Sequence, residues 1–131
     1  MKTHAFRLLP GEDLRKGIND VIRNLDIKAG WILTGIGSLK RVNLRFANQD
    51  SGTLMDGYFE IVSLAGTLSI HGNHIHIAVS DSAGRTIGGH LLENNAVYTT
   101  AEIVIGYDDG LIFTRQIDGT TQWAELQVRR M

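Results

Sequence analysis

Apolar and polar residues alternate along most of this chain, and one stretch breaks the alternation with a helical period. His4 to Leu9 alternates as a short strand and is ended by Pro10-Gly11. From Glu12 to Leu25 the apolar residues Leu14, Ile18, Val21, Ile22 and Leu25 recur at helical spacing, which predicts the one strong helix. Gly11 through Asp13 supply a capping region and acids for the first turn. The stripe reads as core, because a lone helix must cover a sheet. Ala29 to Ala47 is strand-like, but Gly30, Gly35 and Gly37 predict bulges or close backbone approach. After a turn at Asn48 to Gly52, Gly57 to Ile70 reads as a long strand with a bulge expected at Ala65-Gly66. Phe59, Ile61, Ser63 and Ala65 then share one face, and Tyr58, Glu60, Val62 and Leu64 the other. Val97 to Gly106 is a further strand, followed by a turn at Tyr107-Asp108-Asp109-Gly110. Leu111 to Ile117 and Trp123 to Val128 close the chain, joined through Asp118-Gly119-Thr120. The pattern predicts an α+β fold over residues 1–131 as a single domain. It consists of an antiparallel sheet of about seven strands, covered on one face by the main helix.

The stretch from Gly72 to Leu92, GNHIHIAVSDSAGRTIGGHLL, organises the rest. Ile75, Ile77 and Val79 point to one face of a strand, and His74, His76, Ala78 and Ser80 to the other. Asp81-Ser82-Ala83-Gly84-Arg85 fits a three-residue hairpin loop, with Asp opening a type I turn and Gly84 in the left-handed conformation. If Asp81 pairs with Arg85, Val79 faces Ile87, Ile77 faces Gly89 and Ile75 faces Leu91. On the other face Ala78 meets Gly88, and His76 meets His90. A two-residue loop would set His90 opposite Ile77 and mix the faces.

In that register three imidazoles converge. His74 and His76 lie about 7 Å apart along the strand, and the Cβ atoms of His76 and His90 about 5 Å apart. Three imidazoles and a water form a common open zinc site, and Gly88 and Gly89 leave space beside it. The alternative is a polar strand face that happens to carry histidine. His71 precedes the motif in a turn, as an auxiliary ligand or an exposed residue. Glu60 stands among apolar neighbours, as a water-facing edge residue, a group orienting a histidine, or a general base. Glu60 and Glu102 are the carboxylates considered for moving a proton. Lys40, Arg41 and Arg45 form a modest basic cluster that reads as a solvated face, and turn chemistry accounts for Asp108 and Asp109.

Composition narrows the chemistry. Thirteen Lys and Arg against fourteen Asp and Glu leave a formal charge of −1, with no basic excess to hold a polyanion. The chain has no cysteine, so disulfides and thiolate metal sites are excluded, and histidine and carboxylate are the available ligands. It carries no G-x-S-x-G nucleophile, phosphate loop or dinucleotide fingerprint. The start, MKTHAFR, has no apolar run, and no stretch is long enough to span a membrane, so the expectation is a soluble cytoplasmic protein.

The segments GNHIHIAVSD, GRTIGGHLL and VYTTAEIVIGY, with GYFEIVSLAGTLS upstream, resemble the plant and prokaryote conserved domain. This module accompanies AT-hooks in plant nuclear proteins and stands alone in bacteria and archaea. The resemblance runs from about Phe6 to Val128 and is closest to the prokaryotic type. It implies an α/β domain assembling as a homotrimer, with a metal at His74, His76 and His90, zinc by the nature of the ligands. The fold is similar to that of acetolactate decarboxylase, an enzyme holding zinc through histidines. That likeness is of fold, and carries little about function. Three function classes follow: a trimeric scaffold with a structural or sensory metal, a DNA-associated protein, and a zinc-dependent enzyme acting on a small carbonyl or carboxylate substrate. The plant relatives bind AT-rich DNA, but this chain has neither an R-G-R-P hook nor a basic tail.

Overall fold

Two sixteen-residue strands set the frame of the molecule, as seen in a computed structural model that describes all residues 1–131. They are β2 (Gly30–Arg45) and β3 (Thr53–Leu68), paired antiparallel. The other elements are β1 (Lys2–Leu8), α1 (Leu14–Asn24), β4 (His74–Ser80), β5 (Thr86–Leu91), β6 (Val97–Tyr107), β7 (Leu111–Ile117) and β8 (Ala124–Arg130). Six strands form one antiparallel sheet in the order β1-β6-β2-β3-β4-β5. At its end β2 also pairs with β5, through Leu44 with Leu91 and Arg45 with His90, so β2, β3, β4 and β5 close into a ring.

The single sheet of about seven strands expected from the pattern is instead eight strands in two sheets. β7 and β8 pair only with each other, in a separate ribbon. The reason lies in β6, whose two edges are already taken by β1 and β2. The turn after it, closed by Leu111 N–H donating to the Asp108 carbonyl, therefore leads the chain away from the sheet rather than back along β6.

The glycines of β2 act as expected. Its register shifts against β6 between Ile32 and Thr34 and again between Gly37 and Leu39. Gly37 has φ of +150°, and a Cβ there would stand 2.1 Å from the Thr100 carbonyl oxygen, so the strand crossing requires glycine. In β3 the bulge falls elsewhere than expected. Ala65 and Gly66 are in register, opposite His76 and Ile75, and the shift lies between Ile61 and Ser63. The extra residue, Val62, points outward and exchanges the faces. Phe59 and Ile61 face the core before it and Leu64 and Leu68 after it, while Ser63 and Ala65 are exposed. Gly66 marks close approach instead, because a Cβ there would lie 2.5 Å from the His74 carbonyl oxygen.

The helix begins two residues later than the pattern suggested. Asp13 is its N-cap, with its carboxylate accepting Lys16 N–H at 2.9 Å, and the first turn itself holds no acid. Glu12 lies before the cap and accepts Leu9 N–H at 2.7 Å. Leu14, Ile18 and Ile22 are buried, whereas Leu25 ends the helix exposed. They join Leu39, Leu44, Leu68, Ile75, Ile77, Leu91, Ile103 and Ile105 in one core. Burial of each such aliphatic side chain stabilises by about 1.5–3 kcal/mol relative to leaving it in water.

Candidate metal centre

The β4–β5 hairpin presents the candidate ligands, and its loop sets their register. Asp81 N–H donates to the Arg85 carbonyl and Gly84 N–H to the Asp81 carbonyl, both at 2.9 Å. The Asp81 carboxylate accepts Ala83 N–H and Arg85 N–H, also at 2.9 Å. Gly84 has φ of +79°, which glycine adopts without steric cost. Val79 pairs with Ile87, Ala78 with Gly88, Ile77 with Gly89 and His76 with His90 as expected, and Ser80 with Thr86, whereas Leu91 pairs with Leu44 of β2 rather than with Ile75. Ile75, Ile77 and Val79 are buried in the ring, and this burial turns His74 and His76 outward.

The three imidazoles meet. Nε2 of His74 and Nε2 of His76 are 3.0 Å apart. Ring centroids lie 4.7 Å (His74–His76), 5.2 Å (His74–His90) and 5.9 Å (His76–His90) apart. One nitrogen from each residue falls within 4.8 Å of the others. His90 Nδ1 is buried and has no hydrogen-bond partner, an arrangement that costs free energy unless something binds there. Desolvation, then the Arg45 charge, pushes His90 down to about 4. Desolvation, then His76 and Arg115, lowers His74. Both therefore stand as neutral imidazole at pH 7, the form that coordinates a metal. Three imidazole nitrogen donors, one of them orphaned, fit a borderline divalent ion such as zinc and do not suit magnesium or calcium.

Beside the cluster opens a cavity of about 470 Å³. One wall comes from β2. A Cβ at Gly89 would meet the Arg45 carbonyl at 2.8 Å, so glycine lets β2 dock on β5 and brings Arg45 beside His90. The other wall is the ribbon, which contributes Arg115, Trp123 and Glu125. The Arg45 guanidinium lies 5.5 Å from the Trp123 ring centroid. Arg115 donates to Thr67 Oγ1 at 2.8 Å.

The carboxylates considered from sequence sit elsewhere. Glu60 is exposed on β3 opposite Ser80, four residues along β4 from His76, or about 13 Å. Glu102 is exposed on β6, paired with Arg7 of β1 and Ile36 of β2, and accepts from Thr100 Oγ1 at 3.2 Å. Neither lines the cavity, whereas Glu125 does. His71 is exposed in its turn, outside the cluster. The basic cluster is divided: Arg41 pairs with Asp56 at 2.7 Å, Lys40 is exposed, and Arg45 turns to the histidines. Arg45, Arg115, Trp123 and Glu125 were not picked out as site residues. For the last three no local signal exists, since Arg115 and Glu125 lie on strands, and Trp123 in the bend before β8, distant in sequence from the hairpin.

An α+β domain with three histidines gathered on one hairpin is the class that this fold and site define. The model of the Plants and Prokaryotes Conserved (PCC) domain matches residues 1–107, and the chain belongs to that family. The match ends before β7, so the ribbon wall lies outside it. Over all 131 residues the chain is 39% identical to a protein of Synechococcus named bifunctional protein GlmU, and it spans about a fifth (21%) of that relative's length. A solved hypothetical protein from Salmonella is 39% identical with a TM-score of 0.97, over 98% of this chain and 94% of that one. Two more distant structures share the fold. One is a metal-containing protein from Archaeoglobus fulgidus, 24% identical with a TM-score of 0.80, covering 97% and 94%. The other, from Bacteroides thetaiotaomicron, is provisionally described as DNA-binding, 22% identical with a TM-score of 0.82, covering 98% and 91%.

Proposed function

We propose that this chain is a homotrimeric metal-binding domain that holds one zinc ion through His74, His76 and His90, with water in a remaining position. The observation that carries the reading is the convergence of three imidazole nitrogens within 4.8 Å on one hairpin. The metal content of the Archaeoglobus relative supports it at the level of fold. Bound zinc would supply a Lewis acid for a carbonyl or an acidified water. The buried isoleucines behind the hairpin hold the imidazoles in place, and the arginines beside them disfavour imidazolium.

The family resemblance and an exposed apolar face support the trimer. Ile36, Tyr58, Val62 and Tyr98 are exposed on β2, β3 and β6, with the two tyrosine rings 5.0 Å apart. Apolar patches of this kind mark association surfaces. DNA binding by this domain should be weak at physiological salt, because its charge is near zero. Retention of an AT-rich duplex at nanomolar concentration in that salt would contradict this.

The cavity beside the histidines favours one second reading, a zinc-dependent enzyme acting on a small carbonyl or carboxylate substrate. In that reading Glu125, which lines the cavity, is better placed to move a proton than Glu60 or Glu102.

The test is metal content by mass spectrometry on protein purified without an affinity tag, then zinc titration of the metal-free form, with light scattering on the same samples. One zinc per chain and a trimeric mass are expected. His76→Ala should weaken zinc by more than about 100-fold, beyond the 10–100-fold that loss of a supporting group costs. Equal zinc affinity in wild type and His76→Ala would remove the site, and a monomer at micromolar concentration would remove the trimer.

A further inference from the structure

Four ion pairs exist in the structure, and none involves Arg45, Arg115 or Glu125. Two guanidiniums thus face one cavity without a carboxylate within ion-pair distance. Each is held in place by a contact that leaves most of its donors free. Arg45 lies against the face of Trp123. Arg115 gives one N–H to Thr67 Oγ1, and its stem packs over Gly72, where a Cβ would stand 3.1 Å from Arg115 Cγ. A guanidinium carries five N–H donors in a planar fork suited to a carboxylate. Glu125 lies on the same wall, and its carboxylate accepts from Thr121 Oγ1 at 3.0 Å. A bound zinc ion would add its own two charges, but in the metal-free protein the two guanidiniums against the Glu125 carboxylate leave a formal charge of +1. That charge suits a monoanion better than a phosphate dianion, which the Glu125 carboxylate would repel. A volume of about 470 Å³ admits a ligand of several heavy atoms and its water.

We propose that this cavity is a subsite for a small monocarboxylate, whose carboxylate group is bound by Arg45 and Arg115 while the rest of the molecule faces the three histidines. The proposal names a ligand class for the metal site, and it rests on that reading only for what the far end of the ligand meets. The ribbon wall, outside the family match, would set which carboxylates fit.

Pyruvate is the probe, with its neutral methyl ester and inorganic phosphate as comparisons, followed by saturation-transfer NMR and calorimetry with and without zinc. Pyruvate should bind the wild type with and without zinc, methyl pyruvate much more weakly, and phosphate no better than pyruvate in the metal-free protein. Arg45→Gln and Arg115→Gln should each weaken pyruvate by about 10-fold or more, the effect of one charge-assisted hydrogen bond. Zinc affinity in these variants should change far less than in His76→Ala. Glu125→Gln should tighten pyruvate, an opposite sign that damage to the ribbon would not produce. Unchanged pyruvate affinity in both arginine variants, tighter binding of phosphate than of pyruvate to the metal-free protein, or weakening by Glu125→Gln would overturn the proposal. Zinc binding without pyruvate binding removes the subsite and leaves the metal site standing. Arginine-dependent pyruvate binding to a protein that takes up no zinc removes the metal site and leaves the subsite standing.

Discussion

The β4–β5 hairpin and the β7–β8 ribbon face each other across the same cavity, yet they are built in different ways. The hairpin is part of the closed ring, and every second residue of β4 from Ile75 to Val79 is buried. No residue of the ribbon's two strands is buried. The ribbon pairs only with itself and is tied down by a few polar contacts, Phe113 N–H to the Lys28 carbonyl at 2.8 Å and Ser69 Oγ to the Phe113 carbonyl at 2.9 Å among them. Metal ligands need positions fixed to a fraction of an ångström, which a packed hairpin provides. A wall that selects a ligand can sit on a less buried element, where substitution costs little stability. On the proposed reading, metal binding and ligand choice can vary independently in this fold.

The comparison predicts its largest difference in folding stability. Ile77 is 3% exposed at the centre of the hairpin, and Ile117 is 71% exposed at the end of β7. Ile77→Ala should lower the unfolding free energy by about 3 kcal/mol, and Ile117→Ala by less than about 0.5 kcal/mol. Urea unfolding of the metal-free protein measures both, and similar losses in the two variants would mean that the ribbon is as much part of the core as the hairpin.

A smaller effect should appear with pH. His90, pushed down to about 4, and His74, also lowered, resist protonation when folded. An unfolded histidine titrates near pH 6.5. As pH falls, the unfolded chain takes up protons first, so their contribution to metal-free stability is present above about 6.5 and is lost progressively toward about 4. Zinc occupancy should fall over the upper part of the same range, toward about pH 5. Urea midpoints at pH 7.5, 6, 5 and 4 check the slope, which His90→Gln should reduce. A variant with the wild-type slope would show that other groups govern it.

The smallest effect belongs to the wall. Trp123→Ala removes a side chain beside the ribbon whose ring lies against Arg45 and which is not one of the three proposed ligands. Zinc affinity should change by well under the ~10-fold expected of a group supporting a ligand directly. A larger loss in the titration would mean that the ribbon positions the histidines.

Much of the hairpin was legible before its coordinates, because it is a local structure. Asp81 and Gly84 define a loop length, loop length defines register, and register alone brings His76 opposite His90. The helix stripe was legible for the same reason, with its start misplaced because Asp13 caps the helix rather than entering it. The faces of β3 were legible only as far as Ile61, since the bulge at Val62 answers to the fit between β3 and β4 rather than to any glycine.

The chain by itself determined the α+β class, the antiparallel hairpin and the gathering of His74, His76 and His90. Each follows from residue period and turn chemistry within about twenty positions. Only the tertiary structure decided that β7 and β8 leave the sheet, and that Arg45, Arg115, Trp123 and Glu125 complete the cavity. Those outcomes depend on which strand edges are already occupied when β7 seeks a partner and on how β2 closes onto β5. Such contacts join residues far apart in the chain, where neither alternation nor helical spacing carries information.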